Sequence, residues 1–128
     1  MGLTALFAVG LGAAFGAWLR WLLGLLMNPL FPTLPLGTLA ANLLGGFLMG
    51  LALGVFAHYQ SLAPEWRLFI TTGFLGGLTT FSTFSAEAVT LLLRQQYGWF
   101  AAHVGMHVAG TLAATLIGFA LIRFALRA

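Results

Sequence analysis

The sequence predicts an all-α membrane protein with four transmembrane helices, and three observations support this fold class. Of its 128 residues, 61% are hydrophobic and only 5% are charged. The mean hydropathy is +1.03. A soluble domain carries roughly a quarter charged residues because its surface faces water, so this chain lacks the polar groups to cover a soluble globule. The sequence also offers four stretches that reach the roughly 20 apolar residues a membrane crossing needs.

The four apolar stretches fill the chain and are joined by short links. Three prolines stand between positions 29 and 35, and proline cannot continue a helix. The second link contains Pro64, and the third reads RQQYG. Links this short predict that consecutive helices lie side by side. We therefore predict a single four-helix domain over residues 1–128, with spans at about 3–27, 37–58, 66–93 and 99–124.

The third stretch has a composition that a continuous helix disfavours. It contains GFLGGLTTFSTFSAE, residues 73–87. Glycine pairs and β-branched threonines are poor helix formers, so we predict a break near Gly76–Thr80. A packed glycine cluster in an unbroken helix is the alternative. A break would free backbone carbonyls, which protein or a cavity must satisfy at membrane depth and which suit a small cation.

Small residues and the few charges bear on assembly. Four helices enclose little interior, so we expect at least a dimer. The five arginines divide two against three between the two sides, a bias too weak to set one orientation. An antiparallel, dual-topology homodimer is therefore permitted. Glycines at four-residue steps allow close helix packing within or between chains: Gly12 and Gly16, then Gly46, Gly50 and Gly54, then Gly73 and Gly77.

Polar residues at membrane depth are functional candidates. Asn42 either presents its NH2 group to a pore or joins helices, and Thr38 shares its helix face. Glu87 is the acid within a span. It would gate a pathway, orient a neighbouring hydroxyl, or lie near the membrane interface without a specific role. Arg20 lies inside the first span, where it would concentrate anions, snorkel to the interface or pair with an acid.

Hydroxyls and aromatic rings alternate after the predicted break. If the helix resumes near Thr80, Phe81 and Phe84 share one face, and Ser82 begins a line of hydroxyls on another. Aromatic rings carry a positively polarised edge, which attracts a small anion weakly. Ordinary packing of the two rings is the alternative interpretation, because aromatic side chains often serve as core.

The fourth stretch carries His103, His107 and Thr111 at four-residue steps. These three residues share one helix face. Two histidines at this spacing can bind a metal, but we expect no acid or cysteine nearby to complete a site. We therefore favour a polar stripe that faces a transport pathway.

An enzyme is not expected. The chain has no cysteine, and its sequence contains neither aspartate nor lysine. A Ser-His-Asp set and a lysine-containing phosphate loop are both excluded. The five arginines are scattered, so no basic patch for nucleic acid exists.

The motif GFLGGLTTFSTFSAE (73–87), together with GTLAANLLGGFLMG (37–50) and GAWLRW (16–21), resembles the signature of the small fluoride channels called Fluc or CrcB. The resemblance covers the whole chain in length, number of spans and order of motifs. It implies a fluoride-selective passive channel in the cell inner membrane, which exports F⁻ from the cytoplasm and relieves fluoride toxicity. It implies no protein partner beyond a second copy.

The resemblance also implies an assembly and roles for individual residues. Members of the family form antiparallel homodimers with two pores and a structural, untransported Na⁺ at the centre. By this resemblance the backbone carbonyls of Gly76 and Thr79 would hold the Na⁺. The pore residues implied are Phe81, Phe84 and Asn42, the wall hydroxyls Ser82 and Thr83, the acid Glu87 on the third helix and Arg20 near the pore entry.

The fourth helix departs from the family pattern. Family members carry a tyrosine and serines where this chain has His103, His107 and Thr111. Histidine titrates near neutral pH, so we expect conduction to depend on pH. A proton-coupled fluoride or halide exporter, with Glu87 or the histidines carrying protons, is the alternative function. A small multidrug transporter would need a glutamate in the first span, which is missing, and a scaffold would carry no ion flux.

Overall fold

The computed structural model describes residues 2–127, and helices make up most of them. Long helices cover α1 (Gly2–Met27), α2 (Leu36–His58) and α6 (Tyr97–Arg127). A short 3₁₀ turn, Asn28–Leu30, follows α1. These helices coincide with the first, second and fourth apolar stretches. Among the described residues, three helical segments are long and apolar enough to cross a membrane: Gly2–Leu30, Leu36–His58 and Tyr97–Arg127.

The third stretch is divided into four helical pieces. It comprises α3 (Pro64–Leu68), a π-helical segment (Phe69–Leu75), α4 (Gly76–Leu78) and α5 (Phe81–Leu93). Between α4 and α5 the backbone is extended, with φ −87° and ψ 154° at Thr79 and φ −149° and ψ 116° at Thr80. The predicted break near Gly76–Thr80 is therefore present. The Thr80 hydroxyl accepts a 3.0 Å hydrogen bond from the Thr83 N–H, which caps α5 as threonine commonly does.

The largest interfaces join helices that are not consecutive in the chain. α2 packs along α6, and α1 packs against the π-helical segment and α4. The short links predicted that consecutive helices would pack side by side, but their contacts are less extensive than these. The closest helix contacts occur where glycines let two backbones approach. A Cβ at Gly50 would overlap the Thr115 carbonyl of α6, and one at Gly77 would overlap the Ala13 carbonyl of α1. The four-residue glycine steps therefore pack helices within the chain.

The buried core and the outer surface both suit a membrane. The core centres on Ala41, Leu75 and Leu78, where α2 meets the pieces before the break. Large apolar side chains of α1 and α6, such as Trp21 and Leu116, are exposed. Water penalises such an apolar surface, whereas lipid tails do not. At the start of α2, the Asn28 Oδ1 accepts hydrogen bonds from the N–H groups of Gly37 and Thr38, at 2.7 and 3.2 Å.

Candidate functional site

The carboxamide of Asn42 holds the helix break in place. The Thr80 N–H donates to Asn42 Oδ1 at 2.8 Å, and Asn42 Nδ2 donates to the Thr80 carbonyl at 3.1 Å. These two bonds fix which end of the amide carries the NH2 group. Its second hydrogen then points to His107 Nδ1, 3.0 Å away. Asn42 thus joins α2, the break and α6, and both of its amide hydrogens are engaged.

Thr80 is the functional neighbour that sequence reasoning missed. It lay inside the predicted break, yet its backbone was not expected to be the partner of a buried amide. The signal was available in principle, because an amide at membrane depth needs partners and a broken helix supplies unpaired N–H and C=O groups.

The structure brings Glu87 to the two histidines. Thr38 Oγ donates to Glu87 Oε2 at 2.6 Å, and His103 Nε2 lies 3.5 Å from Glu87 Oε1. The expectation that no acid stands near the histidine pair is therefore wrong. Glu87 and His103 are 16 positions apart in the sequence. The packing of α5 against α6 brings them into contact.

The two phenylalanines share one face of α5, as predicted, but their environments differ. Their ring centroids lie 5.5 Å apart. Phe84 is buried and stacks on the His103 ring at 5.2 Å and 20°, while His107 lies 4.7 Å away. Phe81 is 78% exposed, so its outer face has no partner within the described chain.

A cavity of about 490 Å³ opens beside the break. Its wall contains five of the predicted pore residues and none of the arginines or glutamates. Thr38, Glu87, His103, Arg20, Ser82 and Thr83 lie outside it. The polar or predicted residues that line it are Asn42, Thr71, Gly76, Thr79, Thr80, Phe81, Phe84, His107, Thr111 and Thr115. Thr71 and Thr115 were not predicted, because neither lies within the motifs singled out.

The remaining predicted residues surround the break. Arg20 Nε donates to the Gly77 carbonyl at 3.1 Å, so this arginine satisfies a backbone group that the break frees. Ser82 is exposed, and its hydroxyl lies 3.3 Å from the Thr80 hydroxyl. Thr83 is half-buried, and its N–H group is the one that Thr80 caps.

The backbone carbonyls of Gly76 and Thr79 are oxygen ligands of the kind that bind a small cation. Thr79 is extended rather than helical, and Gly76 is exposed. In a continued helix these carbonyls would accept from the N–H groups of Thr80 and Thr83, but these donate instead to Asn42 Oδ1 and to the Thr80 hydroxyl. Backbone carbonyls left free in this way are ligands that Na⁺ accepts in membrane proteins, so the two residues fit the ion that the resemblance implies.

Comparisons with known proteins agree with the motif reading. The sequence profile of the family described as CrcB-like protein, Camphor Resistance (CrcB), matches residues 7–119. A protein of Nitrosospira multiformis named fluoride-specific ion channel FluC is 61% identical over 124 residues, which are 97% of each chain. The FluC of Aromatoleum aromaticum is 59% identical over 92% of this chain and 90% of its own. That of Pseudomonas putida is 53% identical over 95% and 96%.

Proposed function

The chain belongs to the CrcB family, and on that premise we propose that it is a fluoride-selective channel through which F⁻ leaves the cytoplasm passively. Its relatives are named as ion channels, and the chain is not an enzyme. The channel would lie in the inner membrane as a multi-pass protein and relieve fluoride toxicity. The observation that carries the proposal is the cavity at the helix break, whose wall combines aromatic rings and hydroxyls without a full charge.

The chemistry of this wall suits a small anion. Fluoride is strongly hydrated, so a pore must replace its water with donors yet hold it weakly enough to release it. Threonine hydroxyls donate hydrogen bonds, and the edges of Phe81 and Phe84 are positively polarised. Each donor is weak, and a series of them would pass the ion along. A fixed positive charge in the wall would trap it.

We infer that the chain crosses the membrane four times. The pieces from Pro64 to Leu93 would together form the third crossing, with the break inside the membrane. The Asn42 and Arg20 hydrogen bonds to the break supply the internal partners that backbone at this depth requires.

A second copy would complete the pathway. Phe81 lines the cavity and is largely exposed, so one chain leaves the wall open on that side. An antiparallel partner would cover it and generate two equivalent pores by symmetry. The carbonyls of Gly76 and Thr79 of both copies would then hold a structural Na⁺, whose charge offsets the freed carbonyl dipoles. The Na⁺ is not transported.

The test is fluoride efflux from liposomes that hold purified protein, read with an ion-selective electrode. Valinomycin and K⁺ supply the counter-current, and chloride is the control ion. We expect fast efflux of fluoride but not chloride, and its loss in Phe81→Ile. Absence of flux from well-folded dimer, with Na⁺ on both sides of the membrane, would refute the channel proposal.

A proton-coupled fluoride or halide exporter is the second candidate, and one observation favours it. Glu87 and His103 approach within 3.5 Å, an arrangement that can carry a proton. The two functions differ in the charge moved per ion. A channel current reverses at the fluoride equilibrium potential, whereas a coupled exporter reverses at a potential that shifts with the pH gradient.

A further inference from the structure

Three buried polar atoms have no hydrogen-bond partner among residues 2–127: Glu87 Oε1, His103 Nε2 and His107 Nε2. All three ligand-capable groups lie within 4.8 Å of one another. His103 and His107 are 1% and 4% exposed. Buried polar groups in proteins are nearly always paired, so three unpaired atoms on side chains this close together indicate a shared ligand.

We propose that Glu87, His103 and His107 form a binding site for a divalent transition metal ion of the zinc class. Two imidazole nitrogens and one carboxylate oxygen are a donor set that Zn²⁺, Co²⁺ and Ni²⁺ bind well. Ligands about 2.0–2.2 Å from a tetrahedral ion lie roughly 3.3–3.6 Å apart, and Glu87 Oε1 and His103 Nε2 are separated by 3.5 Å. The three atoms are buried, so an ion between them would supply the partner that each lacks, with a water molecule as its fourth ligand.

Neighbouring groups already orient the ligands. The Thr38 hydroxyl donates to Glu87 Oε2, which turns Oε1 toward the histidines. Phe84 stacks on His103, and the two imidazole rings lie 4.5 Å apart. Outer groups that fix ligand orientation in this way are characteristic of metal sites, and removing them weakens binding about 10–100-fold.

The hydrogen bond from Asn42 links this site to the cavity. Because Thr80 fixes the amide, Asn42 donates to His107 Nδ1, and the neutral ring carries its proton on Nε2. A metal ion at Nε2 needs that proton on Nδ1 instead, so binding must break the Asn42–His107 bond. A divalent ion beside one carboxylate also leaves a net positive charge next to the cavity, which would hold an anion.

A metal ion bound at this site would therefore inhibit fluoride flux. This consequence rests on the proposed channel function, whereas metal binding itself does not.

The binding test uses tag-free protein in detergent, stripped with a chelator and titrated with Co²⁺. We expect one ion per chain, the visible absorption of tetrahedral Co²⁺, and displacement by Zn²⁺.

Variants separate this site from adventitious binding. Glu87→Gln, His103→Gln and His107→Gln should each lower the affinity at least about tenfold, and His58→Gln, at the exposed end of α2, should leave it unchanged. Elution as folded dimer is required of each variant. Absent saturable binding, or equal affinity in the three ligand variants and the wild type, would overturn the site.

The flux test uses the same proteins in liposomes. We expect Zn²⁺ to slow fluoride efflux through wild type and His58→Gln at concentrations that saturate the site, and to act far more weakly on His103→Gln. Saturable binding without any slowing of an active channel would overturn the inhibitory role. Saturable binding by a protein that shows no fluoride flux would support the metal site and overturn the proposed function instead.

Discussion

Replacing Asn42 by leucine tests whether the amide is the clamp that holds the helix break. The substitution keeps the side-chain size but removes three hydrogen bonds, two with the Thr80 backbone and one with His107. Hydrogen bonds between membrane helices average about 0.6 kcal/mol and reach about 1.7 kcal/mol. We therefore expect Asn42→Leu to lower the free energy of unfolding by about 2–5 kcal/mol.

Two features place the effect toward the upper part of this range. The N–H and C=O groups of Thr80 belong to extended backbone, so no helical partner replaces the amide. Thr80 itself is buried, which keeps water away from the unpaired groups and leaves their desolvation uncompensated.

The measurement is reversible unfolding by denaturant in mixed micelles, followed by tryptophan fluorescence. Thr90→Val is the matched control, because the exposed Thr90 hydroxyl bonds to the Ala86 carbonyl of its own helix. We expect the control to lie within about 0.5 kcal/mol of wild type. A similarly small effect for Asn42→Leu would refute the clamp.

Three further predictions follow from separate parts of the fold. Gly50→Ala places a methyl group on the backbone of α6 and should destabilise the protein by about 1–3 kcal/mol. Gly98→Ala, where a Cβ meets no atom within 4 Å, should change stability by less than about 1 kcal/mol, and equal effects in thermal unfolding would contradict the packing role of Gly50. Asn28→Ala removes the acceptor for two N–H groups at the start of α2 and should cost about 1 kcal/mol. Asn28→Asp retains the acceptor, so it should stay near wild type in the same assay. Protonation of His103 or His107 adds positive charge beside the cavity, so fluoride efflux should fall once the pH is low enough to charge these two buried side chains. The double variant His103→Gln/His107→Gln should lose this dependence, and identical pH profiles of the variant and wild type would disprove it.

Local features of the structure followed from the sequence more readily than distant pairings. The break was predictable because β-branched threonines disfavour helix, and the extended backbone falls on Thr79 and Thr80, whereas the glycine pair Gly76–Gly77 that also entered the prediction is helical. Arg20 bonding to Gly77 spans 57 positions, and no local preference encodes that partner.

The histidine pair shows the same limit in the candidate site. The four-residue step placed His103 and His107 on one face because helical geometry fixes that spacing. Glu87 reaches them through the packing of α5 on α6, which depends on how the whole third stretch is bent at its break. The glycine steps likewise predicted close packing, but only the assembled chain shows that their contacts are internal.

The polar groups around the break stabilise the fold and also line or border the cavity. Loss of flux in a variant of one of them therefore does not by itself identify a pore residue. Asn42, Arg20 and Thr80 each satisfy backbone groups at or beside the break, so replacing one of them alters stability and conduction together. Phe81 differs, because it lines the cavity and is largely exposed. Loss of fluoride flux in Phe81→Ile without loss of stability would therefore report on the pathway itself. Loss of flux in Asn42→Leu reports on the pathway only to the extent that it exceeds the loss of folded protein.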